Sequence, residues 1–113
     1  MATKKFIALY LAPTSAIEQM KKATPEEMKA GMADWMKWAH DNQKAIIDVG
    51  APLGKTKRIN AAGVSDTKNG ITGYSLLQGE SLDAVSAIFD GHPHLRMPGA
   101  LIEVLECISM PGM

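Results

Sequence analysis

The architecture follows from one segment near the N-terminus, Lys5-Phe6-Ile7-Ala8-Leu9-Tyr10-Leu11-Ala12. Its two alternating sets of side chains are both apolar: Phe6, Ala8 and Tyr10 in one set, and Ile7, Leu9 and Leu11 in the other. Because successive side chains of a strand point to opposite faces of the sheet, this pattern predicts a strand covered on both faces. Helices of the same chain supply one cover. In a chain of 113 residues the simplest second cover is another copy of the protein, so a homodimer is predicted.

Two helices are predicted after this strand. Thr24-Pro25-Glu26-Glu27 combines an N-cap threonine, a proline at the first helical position and a glutamate at the third, which together indicate a helix start. We expect this helix to run to about Val49 and to end at Gly50. Its apolar stripe consists of Met28, Met32, Trp35, Met36, Ala39, Ile46 and Ile47. Residues 15–22 predict one or two further helical turns, and Ser81 caps a second helix that ends at Gly91.

Three more strands are predicted, at residues 55–62, 71–77 and 100–109. The segment 63–70 between the first two is rich in turn formers and ends in Asn69-Gly70, which is a hairpin signal. The resulting order β-α-β-β-α-β is the split βαβ, or ferredoxin-like, plan of an α+β domain. It predicts a four-stranded antiparallel sheet with the first and third strands in the centre. Lys55, Lys57 and Arg58 then lie on an edge strand, where lysines discourage aggregation, with anion binding as the alternative.

Composition limits the function classes. The length indicates a single domain over residues 1–113. The 12 basic and 12 acidic residues give a net charge of zero, which argues against a dedicated nucleic-acid binder. No run approaches the ~20 apolar residues of a membrane helix, so no membrane partner is expected, and the N-terminal apolar run is interpreted as a strand rather than a signal peptide. The single cysteine, Cys107, excludes an internal disulfide framework, fits a reducing cytoplasm and is expected to be buried.

The stretch Asp90-Gly91-His92-Pro93-His94-Leu95 contains two of the three histidines in a loop before the last strand. Proline restricts both its own backbone and that of the preceding residue, so the loop holds the two imidazoles with little freedom. An imidazole can donate or accept a proton near neutral pH. We therefore predict His92 or His94 as a general acid or base, oriented by Asp66 or Glu103. In the alternative interpretation, a histidine here only caps the end of the preceding helix.

Other polar and aromatic side chains are expected to line a cleft between the long helix and the sheet. The predicted ligand-binding residues are Tyr10, Tyr74, Gln43, Trp38 and His40. For aromatic residues at helical spacing, packing in the core is the alternative. A metal site at His92 and His94 would need a third ligand such as Asp90 or Glu103, and no HExxH motif or cysteine pair supports one. We therefore predict neither a metal nor a cofactor.

Several of these motifs resemble the YCII-related family, over almost the whole chain. They are Lys5-Phe6-Ile7-Ala8-Leu9-Tyr10, Trp35-Met36-Lys37-Trp38, Gly50-Ala51-Pro52-Leu53-Gly54, Gly73-Tyr74-Ser75, His92-Pro93-His94-Leu95 and Ile102-Glu103-Val104. The resemblance implies a dimeric α/β barrel in which two sheets pair face to face, with a cleft in each subunit. Some members are proposed to be enzymes that use a histidine–aspartate pair. Here residues 65–70 depart from the family's Asp-Gly-Pro-Phe sequence, which leaves Asp66 as the acidic partner.

Three functions remain open from the sequence. The leading hypothesis is a small cofactor-independent enzyme that transfers a proton on a small organic molecule. The second is a non-catalytic dimer that binds or senses a small ligand. The third is haem binding or breakdown, which needs an axial histidine facing a wide cavity.

Overall fold

The structure is a computed structural model that describes residues 3–110, without the side chains of residues 16 and 20. The elements in chain order are β1 (Lys4–Leu11), α1 (Thr14–Lys21), α2 (Pro25–Asp41), β2 (Ile46–Asp48), β3 (Thr56–Asn60), β4 (Gly63–Thr67), β5 (Ile71–Gly79), α3 (Leu82–Ala87), a 3-10 helix (Pro93–Arg96) and β6 (Leu101–Cys107). Among the described helices, none combines the length and apolarity needed to cross a membrane.

Four strands form an antiparallel sheet in the order β2-β5-β1-β6. This is the strand order of the ferredoxin-like plan, and it confirms that the first strand and the strand beginning at Ile71 are central. Strand β1 pairs with β5 on one side and β6 on the other, with Leu9 opposite both Tyr74 and Glu103. That register determines which side chains share a face of the sheet.

Local signals explain the helix starts. The Thr24 hydroxyl accepts a hydrogen bond from the Glu27 amide at 3.1 Å, and the Glu27 carboxylate accepts one from the Thr24 amide at 3.4 Å, which is the predicted capping box. The Ser81 hydroxyl accepts from the Ala84 amide at 3.1 Å. Both predicted caps are therefore confirmed.

The long helix ends well before the predicted position. Helix α2 stops at Asp41, where the Asn42 side-chain amide donates to the Trp38 carbonyl at 2.9 Å and the Asn42 backbone amide donates to the same oxygen at 3.1 Å. Ile46–Asp48 then forms the edge strand β2. The prediction of a helix up to Val49 was wrong because β-branched residues that fit a helical stripe also fit a strand next to β5.

The predicted edge strand at 55–62 does not belong to the main sheet. Strand β3 pairs only with β4 among the described strands, and the two form a separate hairpin, the hairpin arm (residues 56–67). Strand β4 occupies part of the segment that the sequence predicts as a turn. The edge-strand explanation for Lys55, Lys57 and Arg58 is therefore wrong, since Lys57 and Arg58 lie on the arm and Lys55 precedes it.

The core lies between one face of the sheet and helices α2 and α3. Its buried members are Phe6, Ala8, Tyr10, Trp38, Leu77, Val85 and Phe89. The predicted stripe of α2 is only partly buried: Trp35 and Ala39 pack on the core, but Met28, Met32 and Met36 are 62%, 62% and 64% exposed. We call these three the methionine row. Helix α2 contacts the core through the side that carries Trp35 and Trp38, and this turns the row outward.

The other face of the sheet has no cover within the chain's described residues. Ile7, Leu9 and Leu11 of β1 are half-buried, and Leu101 and Leu105 of β6 are exposed. We call this surface the open sheet face. Cys107 at the end of β6 is exposed rather than buried as predicted. The prediction of an apolar first strand with helices on one face is thus confirmed, and residues 3–110 supply no cover for its second face.

Candidate functional site

The His-Pro-His loop (residues 92–94) begins shortly after the end of helix α3. Gly91 takes a positive φ of 70°, which a glycine adopts without strain. The His92 amide then donates to the Phe89 carbonyl at 3.0 Å. His92 is the N-cap of the 3-10 helix, with Pro93 as its first residue and the His92 ring nitrogen Nδ1 accepting from the His94 amide at 3.0 Å. Proline, glycine and this side-chain cap together set the direction of both imidazoles.

His92 lies inside a cage of aromatic rings and is only 1% exposed. The ring centroids of Trp35 and Trp38 are each 4.4 Å from that of His92, at interplanar angles of 90° and 71°. Tyr10 and Phe89 complete the cage at 5.3 Å and 5.8 Å. The imidazole is therefore surrounded by the faces and edges of four larger rings.

The hydrogen bond to the His94 amide determines the protonation state of His92. Since Nδ1 accepts that bond, the proton of the neutral ring is on Nε2. Nε2 is buried and has no hydrogen-bond partner among the described residues. Burial, followed by the charges of His94 and Arg96, lowers the pKa of His92 from 6.5 to about 4. The ring is consequently neutral near pH 7 and presents an Nε2–H donor for which the described residues supply no acceptor.

His94 is also buried, but its hydrogen bonding is satisfied. Its Nε2 donates to the Leu11 carbonyl at 2.8 Å, and its ring lies 5.4 Å from that of Tyr10. This bond ties the loop to the end of β1. His94 therefore fixes the loop to the sheet. The ring nitrogen that lacks a hydrogen-bond partner among the described residues is Nε2 of His92.

Tyr10 belongs to a directed chain of hydrogen bonds next to the two histidines. The Ser75 hydroxyl donates to the Val49 carbonyl at 2.7 Å, so it accepts from the Tyr10 hydroxyl, 2.8 Å away. Burial raises the pKa of Tyr10 to about 12, and the bond to Ser75 opposes that shift in part. Tyr10 is thus a neutral donor whose proton is already engaged.

Trp38 closes the cage on the helix side. Its indole Nε1 donates to the Ile88 carbonyl at 2.7 Å, which fixes the ring over His92. Trp38 also borders an open groove of about 280 Å³ between α2 and the 3-10 helix. The groove is lined by Asp34, Lys37, Trp38, Asp41, Asn42, Ile88, Asp90, Pro93 and Arg96. A charged surface groove and the buried imidazole are therefore separated by one indole ring.

The remaining predicted site residues lie elsewhere. Tyr74 and Glu103 are on the open sheet face, in one row with Leu9, and so on the side opposite Tyr10. Asp66 is on the hairpin arm, where it pairs with Lys57. Gln43 and His40 are exposed and border a shallow depression of about 250 Å³ at the turn between α2 and β2. The structure thus brings together His92, His94, Tyr10 and Trp38, and not the others.

Neither proposed acidic partner contacts the histidines. Across residues 3–110, neither imidazole forms an ion pair with a carboxylate. No three histidine, cysteine, aspartate or glutamate side chains in that range come close enough to share a metal ion. Because Nε2 of His92 is buried, it is not open to a porphyrin in this arrangement. The site is therefore a pair of imidazoles among aromatic rings, without a carboxylate.

Two members of the cluster, Ser75 and Phe89, were not among the predicted site residues. Both carry a recognisable signal. Ser75 lies on the same face of β5 as the buried Gly73 and Leu77. A serine on a buried face requires a hydrogen-bond partner for its hydroxyl. Phe89 follows α3 and is four residues after Val85, which is the spacing of neighbours on one side of a helix.

No protein-family model matches the chain, and no curated protein matches it. Among solved structures, the chain is similar to 5-chloro-2-hydroxyhydroquinone dehydrochlorinase (TftG) from Burkholderia phenoliruptrix AC1100, in complex with 2,5-dihydroxybenzoquinone. The two are 16% identical, the match covers 90% of this chain and 91% of that chain, and the TM-score is 0.46. Membership of the YCII-related family remains a prediction from the motifs.

Proposed function

We propose that the protein binds a small organic molecule against the aromatic cage and performs acid–base chemistry on it. The observation that carries this proposal is the buried Nε2–H of His92, which has no acceptor among the described residues. An unpaired polar group in an apolar cage costs stability, commonly about 1–3 kcal/mol. Such a group calls for an explanation, and an oxygen atom of a bound ligand would satisfy it.

The chemistry follows from the protonation state. A neutral imidazole with its proton on Nε2 donates a hydrogen bond to a carbonyl, enolate or phenolate oxygen. It stabilises negative charge that develops on that oxygen, as preorganised donors do in other active sites. His94 and the His92 Nδ1 bond hold the donor in place. In this proposal His92 is the electrophilic donor rather than a strong base.

A ligand needs an access path to the buried Nε2 of His92. We propose that movement of the Trp35 side chain provides this path. Of the two indoles over His92, Trp35 is half-buried, whereas Trp38 is buried and hydrogen-bonded to Ile88. Rotation of Trp35 would expose Nε2 while leaving the Trp38 and Tyr10 rings in position. A flat ligand would then take the place of the indole.

A specific observation also favours binding without catalysis. The pKa of about 4 makes His92 a weak base at neutral pH, and no carboxylate pairs with it in the described part of the chain. Under this second proposal the cage only recognises or senses a ligand. The two proposals share the Nε2 contact and differ in whether a product forms.

The test combines a ligand screen with nitrogen NMR of the histidines. We expect compounds that raise the melting temperature to shift the Nε2 resonance of His92. His92→Asn, which keeps an acceptor for the His94 amide, should weaken binding about tenfold, the value of one hydrogen bond. His40→Asn, at an exposed histidine, is the matched control. Unchanged affinity in the His92→Asn variant would contradict both proposals, and proton NMR of the ligand over time distinguishes turnover from binding.

We further propose that the protein is a homodimer formed through the open sheet face. Support comes from the half-buried Ile7, Leu9 and Leu11, which continue into the exposed Leu101 and Leu105. An apolar surface of this kind is typical of an interface. A cytoplasmic location belongs to the same proposal, because Cys107 is an exposed free thiol at the edge of this face.

The dimer is tested by reversing the polarity of the face. Leu105→Lys should convert a dimer at micromolar concentration into a monomer, because it places a charge in the interface. Leu82→Lys is the matched control, since Leu82 is 42% exposed and Leu105 is 45% exposed, but Leu82 lies on α3. Light scattering measures both. A monomeric wild type, or equal behaviour of the two variants, would exclude this interface.

A further inference from the structure

Two polar contacts among the described residues join helix α2 to the segment 88–96, which carries His92. At the start of this segment, the Trp38 indole donates to the Ile88 carbonyl at 2.7 Å. At its end, the Arg96 guanidinium donates to the Asp34 carboxylate at 2.6 Å, 62 residues away in the sequence. His92 lies between the two contacts along the chain. The stretch that holds the imidazole is therefore attached to α2 at both of its ends.

The contact between Arg96 and Asp34 is the more exposed of the two. Their side chains are 64% and 45% exposed, whereas Trp38 is buried. Ion pairs at such positions contribute little to stability and are screened by salt. We therefore expect this ion pair to break and re-form while the Trp38–Ile88 hydrogen bond still holds the start of the segment.

The Arg96–Asp34 ion pair also crosses the open groove next to Trp38. Asp34 belongs to α2 and Arg96 to the 3-10 helix, and both line the groove. Of the four ion pairs among the described residues, it alone connects these two elements. The Lys37–Asp41 pair borders the same groove but lies within α2. Loss of the Arg96–Asp34 pair would therefore free the end of the 3-10 helix from α2.

The two elements that this ion pair connects also carry the ring contact that covers His92. Asp34 directly precedes Trp35, whose ring centroid is 4.4 Å from that of His92. His92 is the N-cap of the 3-10 helix that ends with Arg96. A separation of the 3-10 helix from α2 therefore loosens the contact between the indole and the imidazole.

We propose that the Arg96–Asp34 ion pair is a latch that regulates access to Nε2 of His92. While the pair is formed, it holds the 3-10 helix against α2 and the Trp35 ring against the imidazole. When the pair breaks, the end of the 3-10 helix moves away from α2 and the Trp35 side chain is free to rotate. The inference rests on the proposed function for the ligand that enters, but the opening itself takes place without a ligand.

Exchange of the His92 Nε2 proton with solvent, followed by nitrogen NMR near neutral pH, measures this opening directly. We expect Arg96→Gln and Asp34→Asn to speed the exchange by about two- to fivefold, the effect of removing one exposed ion pair. The two variants change the charge near His92 in opposite directions, so an effect common to both reports the loss of the pair. Combining Asp34→Arg with Arg96→Asp restores the pair in reverse and should return the exchange to the wild-type rate.

Lys37→Gln is the matched control, because it removes the other ion pair at the groove and leaves the latch intact. It should exchange at the wild-type rate. The backbone amides of β1 should exchange equally in all variants, since they report unfolding of the whole sheet. High salt should speed the exchange of the wild type but not that of Arg96→Gln.

The results separate the latch from the proposed function. Wild-type exchange rates in Arg96→Gln and Asp34→Asn, or an equal increase in Lys37→Gln, would overturn the latch whatever the ligand screen shows. If the exchange responds as expected and no compound binds, the proposed function fails and the latch stands.

Discussion

Replacing Tyr10 by alanine is expected to lower the free energy of unfolding by about 4 kcal/mol, the middle of the range for large aromatic truncations in a core. Tyr10 is 1% exposed and lies at the centre of the cluster. Its ring contacts those of Trp35, Phe89, His92 and His94, at centroid distances of 4.9, 6.2, 5.3 and 5.4 Å. Because Tyr10 connects both histidines to the sheet, its loss leaves a cavity beneath the loop.

Two further variants distinguish the contribution of the Tyr10 ring to stability from that of its hydroxyl and from that of a tyrosine on the opposite face of the sheet. Tyr10→Phe should cost about 1 kcal/mol, because only the bond to Ser75 is lost and Ser75 still donates to Val49. Tyr74→Ala removes the same side chain from the half-buried, opposite face and should cost clearly less than Tyr10→Ala. Urea denaturation at one fixed protein concentration measures all three. Equal losses for Tyr10→Ala and Tyr74→Ala would mean that the aromatic cluster does not form the core.

The fold was predictable wherever a local pattern had one physical meaning. Strand β1 is apolar on both faces. The side chains of the capping residues Thr24 and Ser81 each accept a hydrogen bond from a backbone amide in the first turn of their helix. These signals need no long-range information. They were sufficient for strand β1 and for the starts of α2 and α3.

The errors arose where a local pattern fits two structures. Ile46 and Ile47 continue the helical stripe of α2 and also suit an edge strand, and only the neighbouring β5 decides between them. Likewise, Gly63–Thr67 is rich in turn formers yet pairs with Thr56–Asn60. In both cases tertiary or cross-strand pairing overrides a weak local preference.

The site was predictable in part for a similar reason. The His92-Pro93-His94 loop is recognisable because proline and glycine restrict it locally. By contrast, Tyr10 and Tyr74 appear equivalent in sequence, and the register that places Tyr10 opposite Gly73 and Tyr74 opposite Leu9 puts them on opposite faces. Glu103 goes with Tyr74 for the same reason. Register between strands distant in sequence depends on packing, so the sequence alone does not separate the two sets.

Acidification is expected to destabilise the protein by about 3 kcal/mol through His92 alone. Burial lowers the pKa of His92 from 6.5 to about 4 in the folded state, while the unfolded chain keeps a value near 6.5. Between these two values the unfolded state binds more protons, so folding becomes less favourable as the pH falls. The full stability from the neutral imidazole is present above pH 6.5, declines below it and is lost by about pH 4.

The contribution of His92 is isolated by comparing pH profiles of stability. The asparagine of His92→Asn does not titrate in this range, so the pH profile of its free energy of unfolding should be flatter than that of the wild type by the same 3 kcal/mol or so. His40→Asn, at the exposed histidine, is the matched control. Chemical denaturation from pH 4 to pH 7.5 gives all three curves. If the profiles of wild type and His92→Asn ran parallel, burial in the cage would not lower the pKa of His92, and the predicted loss of stability through this residue would be wrong.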